Sequence, residues 1–166
     1  MQSILFVCRA FSFLILASMF VVTSVHAESS SLVDALKGRD TTAALDLVKQ
    51  GTDVNTAEAD GATALHWAAH FNDIAAADAL LAAGAQVNVA NDYGVTPLML
   101  AAENGSADMV GRLLTAGAKT NATMPSGETA LMTASRAGDV GAVSWLLSKG
   151  ANPNLTENRR GQTALI

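Results

Sequence analysis

Short apolar runs return at a constant interval along most of this chain. Residues 94–105 read GVTPLMLAAENG: a glycine, a threonine, an apolar run and a closing glycine. The same arrangement begins 33 residues earlier at Gly61 and 33 residues later at Gly127. Glycine permits the positive φ of a sharp turn, and threonine can cap a helix by accepting a backbone N–H. The pattern therefore predicts a turn followed by a short helix in each copy.

A second apolar pattern keeps the same interval. Leucine pairs followed three residues later by glycine occur at 80–84, 113–117 and 146–150. In the first copy, Ile74, Ala77, Leu80 and Leu81 are predicted to be the inner positions of a second helix. The glycine is typical of a helix C-terminus. A fixed period of this length, with two helices and a turn in each unit, indicates a stacked repeat protein.

The repeated segments also match a known motif. Residues 96–98 read Thr-Pro-Leu, with Met99 next. Residues 63–66 read Thr-Ala-Leu-His, and residues 129–132 read Thr-Ala-Leu-Met. These segments resemble the ankyrin repeat, whose core is T-P-L-H-x-A, and the likeness extends over residues 28–166. The sequences of these segments look most like those of bacterial exported ankyrin-repeat proteins. The resemblance implies an all-α solenoid of helix–turn–helix units joined by short β-hairpin-like turns.

The first 27 residues lie outside this pattern. They contain one charge, Arg9, an apolar run at 10–22, and the small residues Val25 and Ala27 at the positions that a signal peptidase reads. We expect a signal peptide that is cleaved after Ala27, and export to the periplasm or secretion. The alternative is an uncleaved anchor, although the run is shorter than the roughly 20 residues of a membrane span. Cys8, the sole cysteine, lies in this segment, so the mature chain would form no disulfide.

The period divides the chain into six segments. They are a signal peptide (1–27), a degenerate N-terminal capping repeat (28–55), ankyrin repeats at 56–88, 89–121 and 122–154, and the start of a truncated repeat (155–166). A terminal repeat lacks one neighbour and is expected to be atypical and polar on its outer face. Because the last segment stops inside a predicted helix, we expect the native protein to continue or its last residues to fray.

The charge of the chain limits its partners. Residues 28–166 hold all 15 acidic residues and 9 of the 10 basic ones, which gives a net charge of −6. Binding to nucleic acid depends on clustered lysine and arginine. The acidic balance therefore argues against a nucleic-acid partner.

Two sequence features have a partial likeness to sites of chemistry. His66 and His70 lie one helical turn apart, a spacing that can hold zinc, but no third ligand is evident; the resemblance gives His66 a structural role. Residues 117–120 (Gly-Ala-Lys-Thr) lack the glycine-rich start of a phosphate-binding loop. No serine–histidine–aspartate or paired-carboxylate arrangement is visible. We expect a non-enzyme without metal or cofactor.

Asparagine and tryptophan positions allow two readings each. Asn104, Asn121 and Asn154 fit the glycosylation pattern. Asn121 and Asn154 also follow the 33-residue period, and for them the alternative is turn chemistry, in which asparagine bonds its own backbone. Trp67 suits packing or a binding anchor, and Trp145 is expected to be partly exposed on the outer helices.

The resemblance implies that a partner binds the turn tips and the ends of the inner helices. Tyr93 and Phe71 stand out there, since the repeat pattern demands no packing role for them. The candidate partner-binding residues form an acidic, partly aromatic groove that turns basic at its C-terminal end: Asp60, His70, Phe71, Asp92, Tyr93, Glu103, Glu128, Arg136, Arg159 and Arg160.

Together these features predict a monomeric, exported, non-catalytic scaffold for protein–protein interaction. Its partner would carry a basic patch, and no membrane would be bound after signal cleavage. The alternative is an accessory or regulatory ankyrin domain of a longer exported enzyme or electron carrier, with its chemistry beyond Ile166.

Overall fold

The structure, a computed structural model, describes residues 31–165. The predicted signal peptide and Ile166 lie outside the described residues. Between residues 31 and 165 the chain forms eight helices. They are α1 (Leu32–Lys37), α2 (Thr41–Lys49), α3 (Ala64–His70), α4 (Ile74–Ala82), α5 (Pro97–Glu103), α6 (Ala107–Thr115), α7 (Ala130–Ala137) and α8 (Val140–Ser148).

The helices form two layers. The first helix of each pair packs on the first helix of the next, in the order α1, α3, α5, α7, and the second helices stack in the order α2, α4, α6, α8. The inner helices α3, α5 and α7 begin at Ala64, Pro97 and Ala130, which keeps the 33-residue interval of the sequence. The predicted all-α repeat fold is confirmed. Among the described residues, hairpin pairing is limited to isolated bridges between Ala57 and Thr63 and between Thr123 and Thr129.

Each outer helix begins at a polar cap that the sequence supplies. The side chain of Asp73 accepts the N–H of Ala76, and that of Ser106 accepts the N–H of Met109. These bonds satisfy donors that a helix N-terminus otherwise leaves unpaired. Capping fixes where each helix starts, and thereby fixes the length of the loop that leads to it.

The core runs between the two layers as one continuous cluster of leucine, alanine and methionine. Leu65, Leu80 and Leu113 are essentially inaccessible to solvent. Burying one such side chain contributes about 1.5–3 kcal/mol. Of the predicted inner positions of α4, Ala77 and Leu80 are buried, while Ile74 and Leu81 are half-buried and pack against the core; Ala76 is buried as well.

The two ends of the stack differ from its middle. In α1 the apolar face is buried, but in α2 only Ala44 is, because that helix has a neighbour on one side alone. At the other end the predicted start of a further helix is not formed: Ala164 and Leu165 lie in a turn, and Leu165 is 80% exposed. Within residues 31–165 none of the helices is long and apolar enough to cross a membrane.

Candidate functional site

Backbone hydrogen bonds join the first turn tip to the second and the third to the fourth, the four tips lying at 59–62, 92–95, 125–128 and 158–162. At the junction between the second and third tips Pro125 stands at the position of Asp92 and has no N–H to donate, and its ring lies against Gly94. The N–H of Asp92 donates to the carbonyl of Asp60 at 2.8 Å, and the N–H of Asn158 donates to the carbonyl of Ser126 at 2.8 Å. The carboxylate of Asp60 also accepts the N–H of Ala62 at 3.0 Å, so this predicted binding residue closes its own turn. The tips are therefore held at fixed separations before any partner binds.

Tyr93 projects from the second tip with 69% of its surface exposed. Its backbone N–H donates to the side chain of Asn91, which also accepts the N–H of Val95. The side chain of Asp92, next to it, is exposed as well. The backbone under these two side chains is ordered, while the side chains themselves face solvent.

An aromatic cluster, formed by Trp67, His70 and Phe71, lies at the C-terminal end of α3. The rings of Trp67 and Phe71 stack with centroids 5.8 Å apart, and the His70 ring meets Phe71 edge-on at 4.8 Å. The guanidinium of Arg39 lies 4.6 Å from the Phe71 centroid. The repeat pattern demands no packing role for Phe71, yet its ring packs on Trp67 and Arg39 and so joins the capping repeat to α3.

A lysine–glutamate pair extends this aromatic cluster. Trp67 Nε1 donates to Glu58 at 2.7 Å, Lys37 Nζ donates to the same carboxylate at 2.6 Å, and Lys37 lies 4.9 Å from the Trp67 ring centroid. The hydrogen bond to Glu58 raises the pKa of Lys37. Sequence reasoning missed Lys37, Arg39 and Glu58, since nothing in the repeat pattern predicts which charges meet these rings.

The α5–α7 groove, about 390 Å³ in volume, lies between these two inner helices and contains three of the predicted residues. Glu128 forms an ion pair with Arg136 and accepts a bond from the Thr133 hydroxyl at 3.4 Å. Glu103 lines the opposite wall. The remaining lining is mostly apolar: Val95, Met99, Leu100, Met124, Thr133 and Ala137.

Arg159 and Arg160 lie at the fourth tip. Their backbone N–H groups donate to the carboxylate of Glu157 at 2.6 and 2.5 Å, and that of Gln162 donates at 3.3 Å. These bonds, led by the one from Arg159, lower the pKa of Glu157. Both arginine side chains, together with Arg136, line an open hollow of about 590 Å³.

The ten predicted residues thus form separate groups. The structure brings Glu103, Glu128 and Arg136 together in the α5–α7 groove, His70 and Phe71 together at the end of α3, and Arg159 and Arg160 together at the last tip. Asp60, Asp92 and Tyr93 belong to the first two tips.

A family model described as "Ankyrin repeats (3 copies)" matches residues 32–124 and 112–166. These matches cover most of the chain. The protein belongs to the ankyrin-repeat family. A comparison with curated proteins found no match. Ankyrin repeats generally mediate protein–protein interaction and are typically non-enzymatic.

His66 shows how the ankyrin turns are joined across repeats. Its Nδ1 accepts the backbone N–H of Thr63 at 3.1 Å, and its Nε2 lies 3.1 Å from the carbonyl of Val95 in the next repeat. A neutral ring with its proton on Nε2 satisfies both bonds. With both nitrogens engaged, His66 has no lone pair left to join His70 in a metal site. Among residues 31–165 no group of three or more His, Cys, Asp or Glu side chains could hold a metal ion.

The asparagines of the repeat have a role that sequence reasoning assigned differently. Asn88 donates to the carbonyl of Gly117 at 3.0 Å and accepts the N–H of Lys119 at 2.7 Å, so it bonds the next repeat rather than its own backbone. Asn55 and Asn121 repeat this arrangement. A glycan on Asn121 would be attached to the same amide nitrogen that bonds Gly150 and would replace one of its two hydrogens. The constant 33-residue spacing of these asparagines is the signal that could have revealed the inter-repeat bonds.

The burial of His66 predicts a stability change near neutral pH. Burial lowers the pKa of this histidine and outweighs the opposing effect of its bond to Val95. The unfolded state therefore binds a proton before the folded state does, and stability falls as pH drops below the unfolded value of about 6.5. His66→Met should remove this loss, which is at most about 1.4 kcal/mol per pH unit for one proton. Urea unfolding between about pH 7.5 and 5.5 measures it.

Two features make this test selective. Methionine occupies the equivalent position in the next two repeats, as Met99 and Met132, so it fits the site. The parallel variant His70→Gln, on the same helix, removes the other histidine of residues 31–165 and so separates its contribution from that of His66. An unchanged pH dependence in His66→Met would contradict the assignment.

Proposed function

We propose that the protein is an exported, non-catalytic scaffold that binds a protein partner through its turn tips and the concave face of its inner helices. The observation that carries the proposal is the row of closely packed tips, hydrogen-bonded at two of its three junctions, with Tyr93 exposed on it. Tyrosine is enriched among the residues that dominate interface energies. Because the tip backbone is already ordered, binding would immobilise few additional groups.

Charge supports a partner with a basic patch. The tips and groove carry Asp60, Asp92, Glu103 and Glu128, and of these only Glu128 is paired with a cation among residues 31–165. Complementary charge mainly raises the association rate and the discrimination between partners. Export is supported by the sequence of residues 1–27 alone.

A cross-linked pull-down from the native host tests the scaffold. The bait is the exported protein, beside the tip variant Asp92→Ala/Tyr93→Ala. We expect capture of a protein partner to fall by at least about tenfold in this variant, which corresponds to the loss of an interface residue of large effect. The mass of the recovered bait also shows whether residues 1–27 have been removed after Ala27.

The matched control is Asp108→Ala/Val140→Ala, which removes one exposed acid and one exposed apolar residue from the outer helices. It should capture as much partner as the parent protein. Equal capture by all three baits would place the binding surface away from the tips. Capture of no protein would contradict the scaffold proposal and favour an accessory domain of a longer exported enzyme or electron carrier.

A further inference from the structure

The concave face changes in shape from one repeat to the next. Trp67, Leu100 and Thr133 occupy the same repeat position on α3, α5 and α7, so the side chain at this position shrinks along the stack. Trp67 packs on Phe71 and bonds Glu58, which fills the concave side at α3. Thr133 is much smaller. The α5–α7 groove exists because the third copy of this position carries the smallest side chain.

A hydrogen-bond donor is also missing from the α5–α7 groove. One repeat earlier, Asn104 donates its side-chain amide to the carbonyl of Ala69 at 3.2 Å and to that of His70, which joins the end of α5 to the end of α3. Ala137 occupies the equivalent position on α7 and has no amide to donate. Among the described residues, no side chain of α7 therefore bridges to the carbonyls at the end of α5.

The charge at this end of the groove is negative. Glu103 is exposed and lies in the last turn of α5, where the aligned peptide dipoles give a helix a partial negative charge. The four ion pairs among residues 31–165 do not include it. On the opposite wall, Glu128 and Arg136 neutralise each other. The uncompensated charge of the groove is thus the carboxylate of Glu103.

The groove floor adds an apolar requirement. The half-buried Leu100 and Met124 and the buried Met99 line it beside the acidic wall. Methionine side chains are flexible and polarizable, so they can adjust to different apolar groups. Compared with the preceding repeat, the groove therefore lacks a large apolar side chain, since Thr133 replaces Leu100, and a neighbouring hydrogen-bond donor, since Ala137 replaces Asn104.

We propose that the α5–α7 groove binds a protein segment in which an apolar side chain is followed by arginine or lysine. The apolar side chain fills the space above Met99 and Met124, and the cation bonds the Glu103 carboxylate and the carbonyls at the end of α5. This proposal rests on the proposed scaffold function and specifies the chemistry of its partner.

Nuclear magnetic resonance on protein labelled at the methionine methyl groups tests the groove directly. The probe is N-acetyl-leucyl-arginine amide, compared with its citrulline and glutamate analogues; citrulline keeps the shape of arginine without its charge. We expect saturable shifts of the Met99 and Met124 methyls with the arginine peptide. The citrulline peptide should bind at least about threefold more weakly, the size of one partly exposed ion pair. Met109, fully buried in α6, should not shift.

Two variants complete the test. Glu103→Gln removes the charge at an exposed position and should abolish the preference for arginine over citrulline. Thr133→Leu/Ala137→Asn installs the residues that the preceding repeat has at these positions, so it is expected to fold while filling the groove. It should abolish the methyl shifts. Asp108→Asn, an exposed acid on the outer layer, is the matched control and should bind like the parent protein.

The outcomes separate this proposal from the scaffold function. No methyl shift, or equal binding of the three peptides, would overturn the groove assignment without touching the tips. A partner captured in the pull-down equally well by the parent protein and by Thr133→Leu/Ala137→Asn would also overturn it, while the scaffold function would stand. Reduced capture by that variant, together with the arginine preference, supports both.

Discussion

Replacing Leu113 by alanine is expected to lower the free energy of unfolding by about 2–5 kcal/mol. Leu113 is fully buried in α6, which packs between α4 and α8 in the outer layer. The loss combines the transfer of apolar surface with the cavity left between repeats, since the neighbouring helices cannot collapse fully. Domains are typically stable by only about 5–15 kcal/mol, so this single change removes a large part of the total. Urea unfolding followed by circular dichroism measures it.

Leu147→Ala is the matched control for this prediction. Leu147 lies in α8, the equivalent helix of the next repeat, but its side chain is 47% exposed. The substitution makes the same chemical change in the same kind of helix, and we expect a loss below about 1 kcal/mol, since little buried surface is removed. Similar losses for the two variants would show that stacking of the repeats does not supply the stability of α6.

Gly94→Ala is expected to destabilise the protein by about 2–5 kcal/mol, through two effects at one turn tip. Gly94 has φ of 76°, a left-handed conformation that costs an L-residue about 1–2 kcal/mol. A Cβ at this position would also lie 2.6 Å from Cδ of Pro125 in the next tip, and relief of such overpacking costs about 1–3 kcal/mol. Because the proline ring is rigid, the tips would have to separate. Thermal and urea unfolding give the loss.

Gly84→Ala separates these two effects. Gly84 has φ of 88°, but a Cβ there would have no other atom within 4 Å, so this variant carries the conformational cost alone. We expect Gly94→Ala to be the more destabilising of the two by at least about 1 kcal/mol, the cost of the clash. If the two variants lose equal stability, the tips are not in tight contact in solution.

The repeat architecture was predictable because its determinants are local and recur. The positive φ of Gly94 and Gly117 and the cap at Thr96 are each local to one turn or helix, and each recurs at 33-residue intervals in the sequence. Burial of the first leucine of each pair, Leu80, Leu113 and Leu146, follows from the same period. At the ends of the stack the outcome was mixed: most of α2 is only half-buried, as expected of a capping repeat, but the helix predicted to start in the last segment is not formed over residues 163–165.

The candidate site was less predictable because its contacts join residues from different repeats. The sequence predicts Phe71 as an aromatic side chain available to a partner, yet it lies between Trp67 and Arg39. Glu128 was chosen for its charge, yet Arg136 neutralises it. Both contacts depend on side-chain directions that a one-dimensional pattern does not contain.

By itself, the sequence determined the family, the order and length of the helix pairs, and the acidic character of the tips, since each of these follows from residue type and spacing. Only the tertiary structure decided which charges remain unpaired and where the concave face opens. The α5–α7 groove depends on Thr133 and Ala137 standing where Leu100 and Asn104 stand one repeat earlier. These differences between repeats open a groove only because stacking places the same position of successive repeats side by side.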